Sequence, residues 1–308
     1  MAKPRSAFMK DLIWRLEAAG FDLFTAIIRL LPLDFASDCG GALFKLLGPL
    51  TGAHRTAERS LRLAFPDMAD AQRAAILSAQ WDNFGRYVFE FPVTDRLTPA
   101  SGRVELVNFE RMTDVAASGR PVVLLTGHFS NLEIMATAIV AAGIECEITY
   151  RAANNPYVDA RIKASRRRYG VRLLAPKGGE GARALLEAMS AGRSVAILND
   201  QRYDDGVAGP FFGREVMTNP AAARLALKFK TYIQPASIFR LKGARFRFVT
   251  YEPIEVANTG NRAADMAAGV AAINAFIEAR VREQPGEWWW LHKRWPAADY
   301  KALAAEGF

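Results

Sequence analysis

Histidine is scarce in this chain: His54, His128 and His292 are its three imidazoles in 308 residues. A protein that moves protons near neutral pH with a histidine therefore has few candidates. His128 stands apart by its surroundings. The run Pro121-Val122-Val123-Leu124-Leu125-Thr126 is apolar and β-branched, as a strand buried on both faces requires, and it stops at Gly127. The chain then delivers His128 and, five positions on, the carboxylate of Glu133. The carboxyl ends of such strands are where open α/β sheets build their sites. Five residues of ideal helix rotate about 140°, so the two side chains can meet only across a turn, which Gly127-His128-Phe129-Ser130 permits. Glu133 would then accept from Nδ1, fix the tautomer and leave Nε2 as a general base. The same residues also support a plainer expectation. Ser130-x-x-Glu133 is a capping box, in which Glu133 bonds backbone amides at a helix start and His128 is a structural turn residue. Spacing leaves both open.

The elements that must hold this turn follow from the pattern on either side. Ser130 or Asn131 caps a helix over 131–142 that stops at Gly143. Strand 144–150, helix 156–169, strand 171–175, helix 180–191 and strand 194–199 come next, with Gly170 and Gly192 closing the helices. This alternation predicts an α/β fold with a mainly parallel mixed sheet covered by helices on both faces. A loop rich in Gly and Asp is expected over 201–217, then a helix over 219–230, an antiparallel pair at 232–240 and 244–256, and a long helix over 261–284. Upstream, 53–65 and 68–91 read as helices. Neither a GxGxxG fingerprint nor a P-loop occurs, which removes support for dinucleotide or nucleoside triphosphate binding. The absence of a GxSxG elbow argues against an acyl-enzyme, and Cys39 and Cys146 are each remote from any histidine block.

Forty Lys and Arg against 32 Asp and Glu give a net charge of +8. The excess concentrates between 151 and 172, where Arg151, Arg161, Lys163, Arg166, Arg167, Arg168 and Arg172 oppose Asp159. Such runs are ordinarily solvated faces, and nucleic acid is the usual alternative, but no nucleic-acid motif accompanies this one. A phosphorylated lipid, an anionic membrane surface or an acidic carrier protein fits it better. The two cysteines suggest no disulfide framework and a cytosolic face, and no His/Cys cluster suggests a metal. Residues 1–50 are expected to form amphipathic membrane-associating helices, ahead of a catalytic domain over 51–308. Lys10, Asp11, Arg15 and Glu17 argue against a cleavable signal, and the apolar stretch Phe21 to Leu33 is interrupted by Asp22 and Arg29 and ended by Pro32. It is shorter than the ~20 residues a membrane span needs. Soluble packing on the domain is the competing expectation.

Gly127-His128-Phe129-Ser130-Asn131-Leu132-Glu133 resembles the GHFGNWE-type block of the bacterial late lipid A biosynthesis acyltransferases, the lauroyl/myristoyl transferase family of the lysophospholipid acyltransferase superfamily. Further blocks follow in that family's order: Tyr150-Arg151, Asn155-Pro156, Asp159, Arg166 and Arg168; Leu198-Asn199-Asp200-Gln201; Pro210-Phe211-Phe212-Gly213 with Thr218; and Gln284-Pro285-Gly286-Glu287-Trp288-Trp289-Trp290-Leu291-His292-Lys293-Arg294-Trp295. The match spans roughly residues 20–296. Ser130 and Leu132 depart from the family's usual glycine and tryptophan, and neither removes a group the chemistry needs.

The resemblance implies a glycerolipid acyltransferase-like fold and transfer of an acyl chain, without a cofactor, from an acyl-carrier-protein or CoA thioester. The acceptor would be a hydroxyl of a phosphorylated glycolipid, at the cytoplasmic face of the inner membrane. His128 would be the base and Glu133 its orienter. Arg166 would bind phosphate or support the oxyanion, with Arg168 a weaker version of the same idea and Arg151 at the entrance. Asn131 falls among the substrate-binding positions. Asp200, on the same edge as His128 if their strands are parallel, would hold Arg166 or the acceptor hydroxyl, or simply cap a turn. Phe211 and Phe212 would wall the acyl chain, or pack the loop. Trp288, Trp289, Trp290 and Trp295 would form an interfacial belt or buried packing, and His292 receives no proton-transfer role. Acylation of a glycerolipid or a phosphatidylinositol mannoside, a thioesterase, and a non-catalytic lipid-binding relative are the alternatives.

Overall fold

The computed structural model describes residues 7–172, 174–176 and 179–307. In chain order they form α1 (Ala7–Leu30), α2 (Leu33–Leu47), α3 (Gly52–Ala64), α4 (Asp70–Glu90), β1 (Val104–Val107) and α5 (Glu110–Ser118). The alternating segment is β2 (Val123–Thr126), α6 (Glu133–Ala141), β3 (Cys146–Tyr150), α7 (Pro156–Arg168), β4 (Leu174–Pro176), α8 (Gly179–Ser190) and β5 (Ser194–Leu198). Then come β6 (Arg202–Phe211), β7 (Arg214–Thr218), α9 (Ala221–Phe229), β8 (Ile233–Arg240), β9 (Phe246–Thr250), α10 (Arg262–Glu283) and α11 (Ala297–Ala305).

Seven strands form one sheet in the order β1-β9-β8-β2-β5-β3-β4. The five from β8 to β4 run parallel, β9 is antiparallel to β8, and β1 is parallel to β9. The mixed, mostly parallel α/β sheet expected from the alternation is thus the fold. β2 lies between β8 and β5 and is buried along its whole length. Successive side chains on a strand point to opposite faces. Val123 and Leu125 join a core with Phe129, Phe211, Trp288, Trp290 and Trp295, whereas Val122 and Leu124 join one with Ile134, Ile139, Phe246 and Phe248. Burial on both faces explains why the run reads as continuously apolar rather than alternating.

Three departures have physical reasons. The loop expected over 201–217 is instead the antiparallel hairpin β6–β7, whose register shifts between Arg202 and Val207. A bulge and three Asp or Gly residues in its first half (Asp204, Asp205, Gly206) hide the alternation that marks a strand. The second strand of the 232–256 pair ends at Thr250, with a single further bridge from Ile254 to Ile233. β1, α5 and α11 are short, and none produces a periodic signal long enough to read.

The N-terminal helices carry the expected amphipathic pattern. Phe8, Leu12, Leu16, Leu23, Ile27 and Leu30 are exposed on α1, and at about 100° per residue they fall within a stripe about 100° wide. Phe35, Leu43, Leu46 and Leu47 are exposed on α2. Polar contacts tie another side of α1 to α7: the Tyr157 hydroxyl donates to Asp11 at 2.7 Å, Asn155 donates to the Trp14 carbonyl at 2.8 Å, and Arg161 pairs with Asp22 at 2.6 Å. Among the described residues no helix is long and apolar enough to cross a membrane.

Helices α2 and α4 cross at Gly40 and Gly85, so closely that a Cβ on Gly85 would stand 2.2 Å from the Gly40 carbonyl oxygen. Backbone cannot yield as a flexible side chain does. Gly85→Ala should therefore cost about 1–3 kcal/mol and lower the thermal midpoint by several degrees, read by circular dichroism; an unchanged midpoint would mean the crossing is loose.

Candidate active site

The parallel register of β2 and β5 pairs Thr126 with Leu198, so that the chain leaving each strand meets two residues later at His128 and Asp200. The Asp200 carboxylate is buried and accepts three hydrogen bonds, each 2.7 Å long: from the His128 ring at Nδ1, from the His128 backbone N–H, and from Trp288 Nε1. Burial alone would raise the pKa of this group. Attraction to the imidazole and the hydrogen bonds from His128 and Trp288 win, holding the carboxyl well below the usual carboxylate range. An ionised Asp200 requires a hydrogen at Nδ1, which leaves Nε2 of a neutral ring with its lone pair.

The turn that carries His128 is held from the opposite side by the C-terminal segment. Trp289 donates its backbone N–H to the His128 carbonyl at 3.1 Å, Ser130 donates to the Glu287 carbonyl at 2.9 Å, and Phe129 and Trp288 form an antiparallel bridge. Ser130 takes a left-handed conformation with φ 46°. Gly127 admits the ring of Phe129, 2.7 Å from where a Cβ would stand. His128 is 7% exposed.

Glu133 does not supply the contact expected of it. Its carboxylate receives Arg166 Nη2 at 2.6 Å, Arg166 Nε at 3.0 Å and the Tyr169 hydroxyl. The orienting carboxylate at His128 Nδ1 is Asp200, 72 residues away in sequence, rather than Glu133. The reason is local: Glu133 is the first residue of α6, and its side chain follows the helix toward α7. It is not a capping-box carboxylate either, since Asn131 Oδ1 accepts the Glu133 N–H. Burial opposes the Arg166 charge, but the Glu133 carboxylate more than compensates and holds the guanidinium above its ordinary value. The same pair corrects the expectation that Asp200 would hold Arg166.

Beside this ion pair an apolar slot of about 40 Å³ lies between α6 and the sheet, lined by Leu132, Met135, Ala136, Ile139, Ile148 and Val171, with Thr126, Glu133, Thr149 and Arg166 among its polar members. Arg166 Nη1 and Thr126 Oγ1 are buried with no hydrogen-bond partner among the described residues. Two unsatisfied donors in an apolar slot are costly unless an acceptor arrives.

The remaining expected residues scatter. Asn131 is fully buried, donating to Glu90 at 2.9 Å, so both ends of its amide are used internally. Phe211 and Phe212 pack on Trp295 in the core and do not line the slot. Arg151 and Arg168 are exposed, and Arg168 borders a separate crevice with Phe21 and Arg161. Trp288, Trp290 and Trp295 are core residues rather than a belt. Thr126, Gln201 and Trp288 escaped the sequence reading as site residues. Gln201 and Trp288 stand inside the ordered blocks, which could have flagged them, whereas Thr126 stands just before the first block.

Comparison with known proteins bears on this site directly. A family model described as bacterial lipid A biosynthesis acyltransferase matches residues 19–297. The chain belongs to that family. It is 22% identical to the lipid A biosynthesis acyltransferase of Haemophilus influenzae over 293 residues, covering 92% of this chain and 88% of the relative. It is also 23% identical to the lipid A biosynthesis lauroyltransferase of Escherichia coli over 306 residues, covering 96% and 95%. The protein is thus an acyltransferase of lipid A biosynthesis, and the His128 turn, the Glu133–Arg166 pair and the Trp288 segment all lie inside the matched region.

One further group in this acyltransferase is perturbed. Burial pushes the Glu287 carboxyl up to about 7, against the ordinary value near 4.5, while the Arg240 backbone N–H bonds it at 2.8 Å. Between those two pH values the unfolded chain releases this proton and the folded chain keeps it, so stability falls as pH rises toward 7 and the loss is complete above it. Glu287→Gln keeps an oxygen for Arg240 and removes the titration. Above pH 7 the variant should be the more stable by about 1–3 kcal/mol, and at pH 4 the two should melt together. A constant gap from pH 4 to 8 would contradict the titration.

Proposed function

We propose that the protein transfers a fatty acyl chain from an acyl-carrier-protein thioester to a hydroxyl on a 3-hydroxyacyl chain of a phosphorylated disaccharide lipid, by direct attack and with His128 as general base. The observation that carries this reading is the Asp200–His128 pair, which fixes hydrogen at Nδ1 and leaves the lone pair of a neutral ring at Nε2. The hydroxyl proton passes to Nε2 as the oxygen forms its bond to the acyl carbon. The C–S bond then breaks, and the imidazolium returns the proton to the departing thiolate.

The Glu133–Arg166–Thr126 slot supports the second half of the reaction. An acyl tail would lie along Met135, Ile139 and Ile148, and the thioester oxygen would meet Arg166 Nη1 and the Thr126 hydroxyl, two donors already in place and desolvated. Glu133 serves by keeping that guanidinium oriented and charged. Direct attack agrees with the state of Cys146, since burial pushes its thiol far above the range in which it would be nucleophilic. The exposed stripe on α1 with α2 would lie in the inner-leaflet interface on the cytoplasmic side, the basic α7 segment facing anionic lipid or the acidic carrier.

His128→Ala and Asp200→Asn should each lower kcat by about 10²–10⁴ with purified acyl-carrier-protein thioester and acceptor, and Arg166→Ala should do far more damage than Arg167→Ala. Near-native rates in His128→Ala would remove the base assignment. Mass spectrometry of lipid A from a deletion strain should show one secondary acyl chain missing; a change in phospholipid or glycolipid instead would redirect the substrate. The combined change Leu16→Glu, Leu23→Glu and Ile27→Glu should abolish co-sedimentation with anionic phospholipid vesicles while the far-ultraviolet spectrum stays native. Undiminished vesicle binding would rule out the α1 stripe as the docking face.

A further inference from the structure

The lone pair on which the proposed chemistry depends is already occupied. Gln201, the residue after Asp200, brings its side-chain nitrogen within 3.3 Å of His128 Nε2 and within 3.1 Å of His292 Nε2. The two imidazoles face each other with ring centres 5.3 Å apart. Trp289 backs both, tilted against His128 at 5.3 Å and stacked on His292 at 6.3 Å. One amide therefore joins two of the chain's three histidines.

The orientation of that amide follows from Asp200. With hydrogen fixed at Nδ1, a neutral His128 presents an acceptor at Nε2, and an acceptor can be met by the amide –NH₂ but not by the amide oxygen. The second hydrogen on the same nitrogen points to His292 Nε2, which must accept as well. A protonated His128 would carry N–H at both positions, and the –NH₂ group would then oppose it. The bridge favours the unprotonated base. It also stands where an acceptor hydroxyl must donate.

We propose that Gln201 is a positioning residue for His128: its amide nitrogen, anchored on His292, holds the Nε2 lone pair of His128 unprotonated until the acceptor hydroxyl displaces it. This rests on the reading of His128 as the base. The longer contact, on His128, is the one exchanged, while the shorter one on His292 keeps the amide close. After proton transfer, rotation of the amide brings its oxygen to the new Nε2–H, so the same side chain serves both protonation states. His292 gives the amide a partner while it is away from the base, a role that needs no proton transfer. The titratable and charged groups set around His128 are Asp200 at Nδ1 and His292 across the amide, with Arg294 within electrostatic reach of Asp200.

Long-range proton–nitrogen NMR of the imidazole rings tests this without turnover, and three histidines make assignment simple. The neutral ring of His128 in the parent should be the Nδ1–H tautomer. Gln201→Glu places a carboxylate, which can only accept, against Nε2, and should raise the His128 midpoint by about 1–3 pH units. Gln201→Met removes the donor at similar length and should raise it by less, which keeps the test alive if the charged variant fails to fold. In the transfer assay the acid limb of kcat/KM should move upward with the NMR midpoint, and the rate should recover at high pH. His128 midpoints unmoved in both variants overturn the proposal. Moved midpoints with an unmoved acid limb overturn the base assignment beneath it, and a rate that stays low at every pH shows that Gln201 acts on something other than protonation.

Discussion

A carboxylate with almost no exposure to water must be surrounded by donors, and the site is arranged around that requirement at Asp200. Its three partners come from two different parts of the chain: ring and backbone of His128 after β2, and the indole of Trp288 near the C-terminus. An unpaired charge buried at this depth costs several kcal/mol. Fold and imidazole orientation are consequently secured by the same bonds. The parallel pairing of β2 with β5 is what brings the aspartate there, and the backbone bridge from Phe129 to Trp288 closes the remaining side.

A second buried carboxylate, Glu90, does comparable work on the far side of the turn. It accepts both terminal nitrogens of Arg240 at 2.5 and 3.0 Å, the Ser37 hydroxyl at 2.7 Å and the Asn131 amide. Through Asn131 this network reaches the backbone at Glu133, and through Arg240 it reaches the Glu287 carboxyl. The residues flanking His128 are thereby fixed from β8, α4 and the C-terminal segment together. The side chains of the Glu133–Arg166 pair face the apolar slot, so two acidic residues near one histidine have different work: one sets the ring, the other sets a guanidinium.

Much of the frame was legible in the residues. The βαβ alternation gave β2 through β5 to within a few positions, because buried parallel strands and glycine-closed helices leave strong local marks. His128 was recognisable from its place at a strand end. Its partner was not. Nearness in sequence favours Glu133, yet a helix start carries its side chain toward α7, and proximity along the chain says nothing about which of two carboxylates faces a ring. Strand direction puts Asp200 on the same edge as His128, but its contact depends on register, which no local pattern encodes. The β6–β7 hairpin was hidden by its bulge. Phe211 and Phe212 read equally as acyl-chain wall or loop packing, and Trp288, Trp290 and Trp295 as belt or buried packing; all five pack in the core on the Val123 and Leu125 face of the sheet.

The hydroxyl of Ser37 on Glu90 has a practical corollary. The leucine-rich opening segment looks like an appendage that could be trimmed to obtain a more tractable protein. Removing α2 would instead strip a bond from a carboxylate that also secures Asn131, and would uncover the backbone groove at Gly85 into which Gly40 fits. What seems a greasy anchor is, on its inner side, part of the hydrogen-bond network behind the His128 turn.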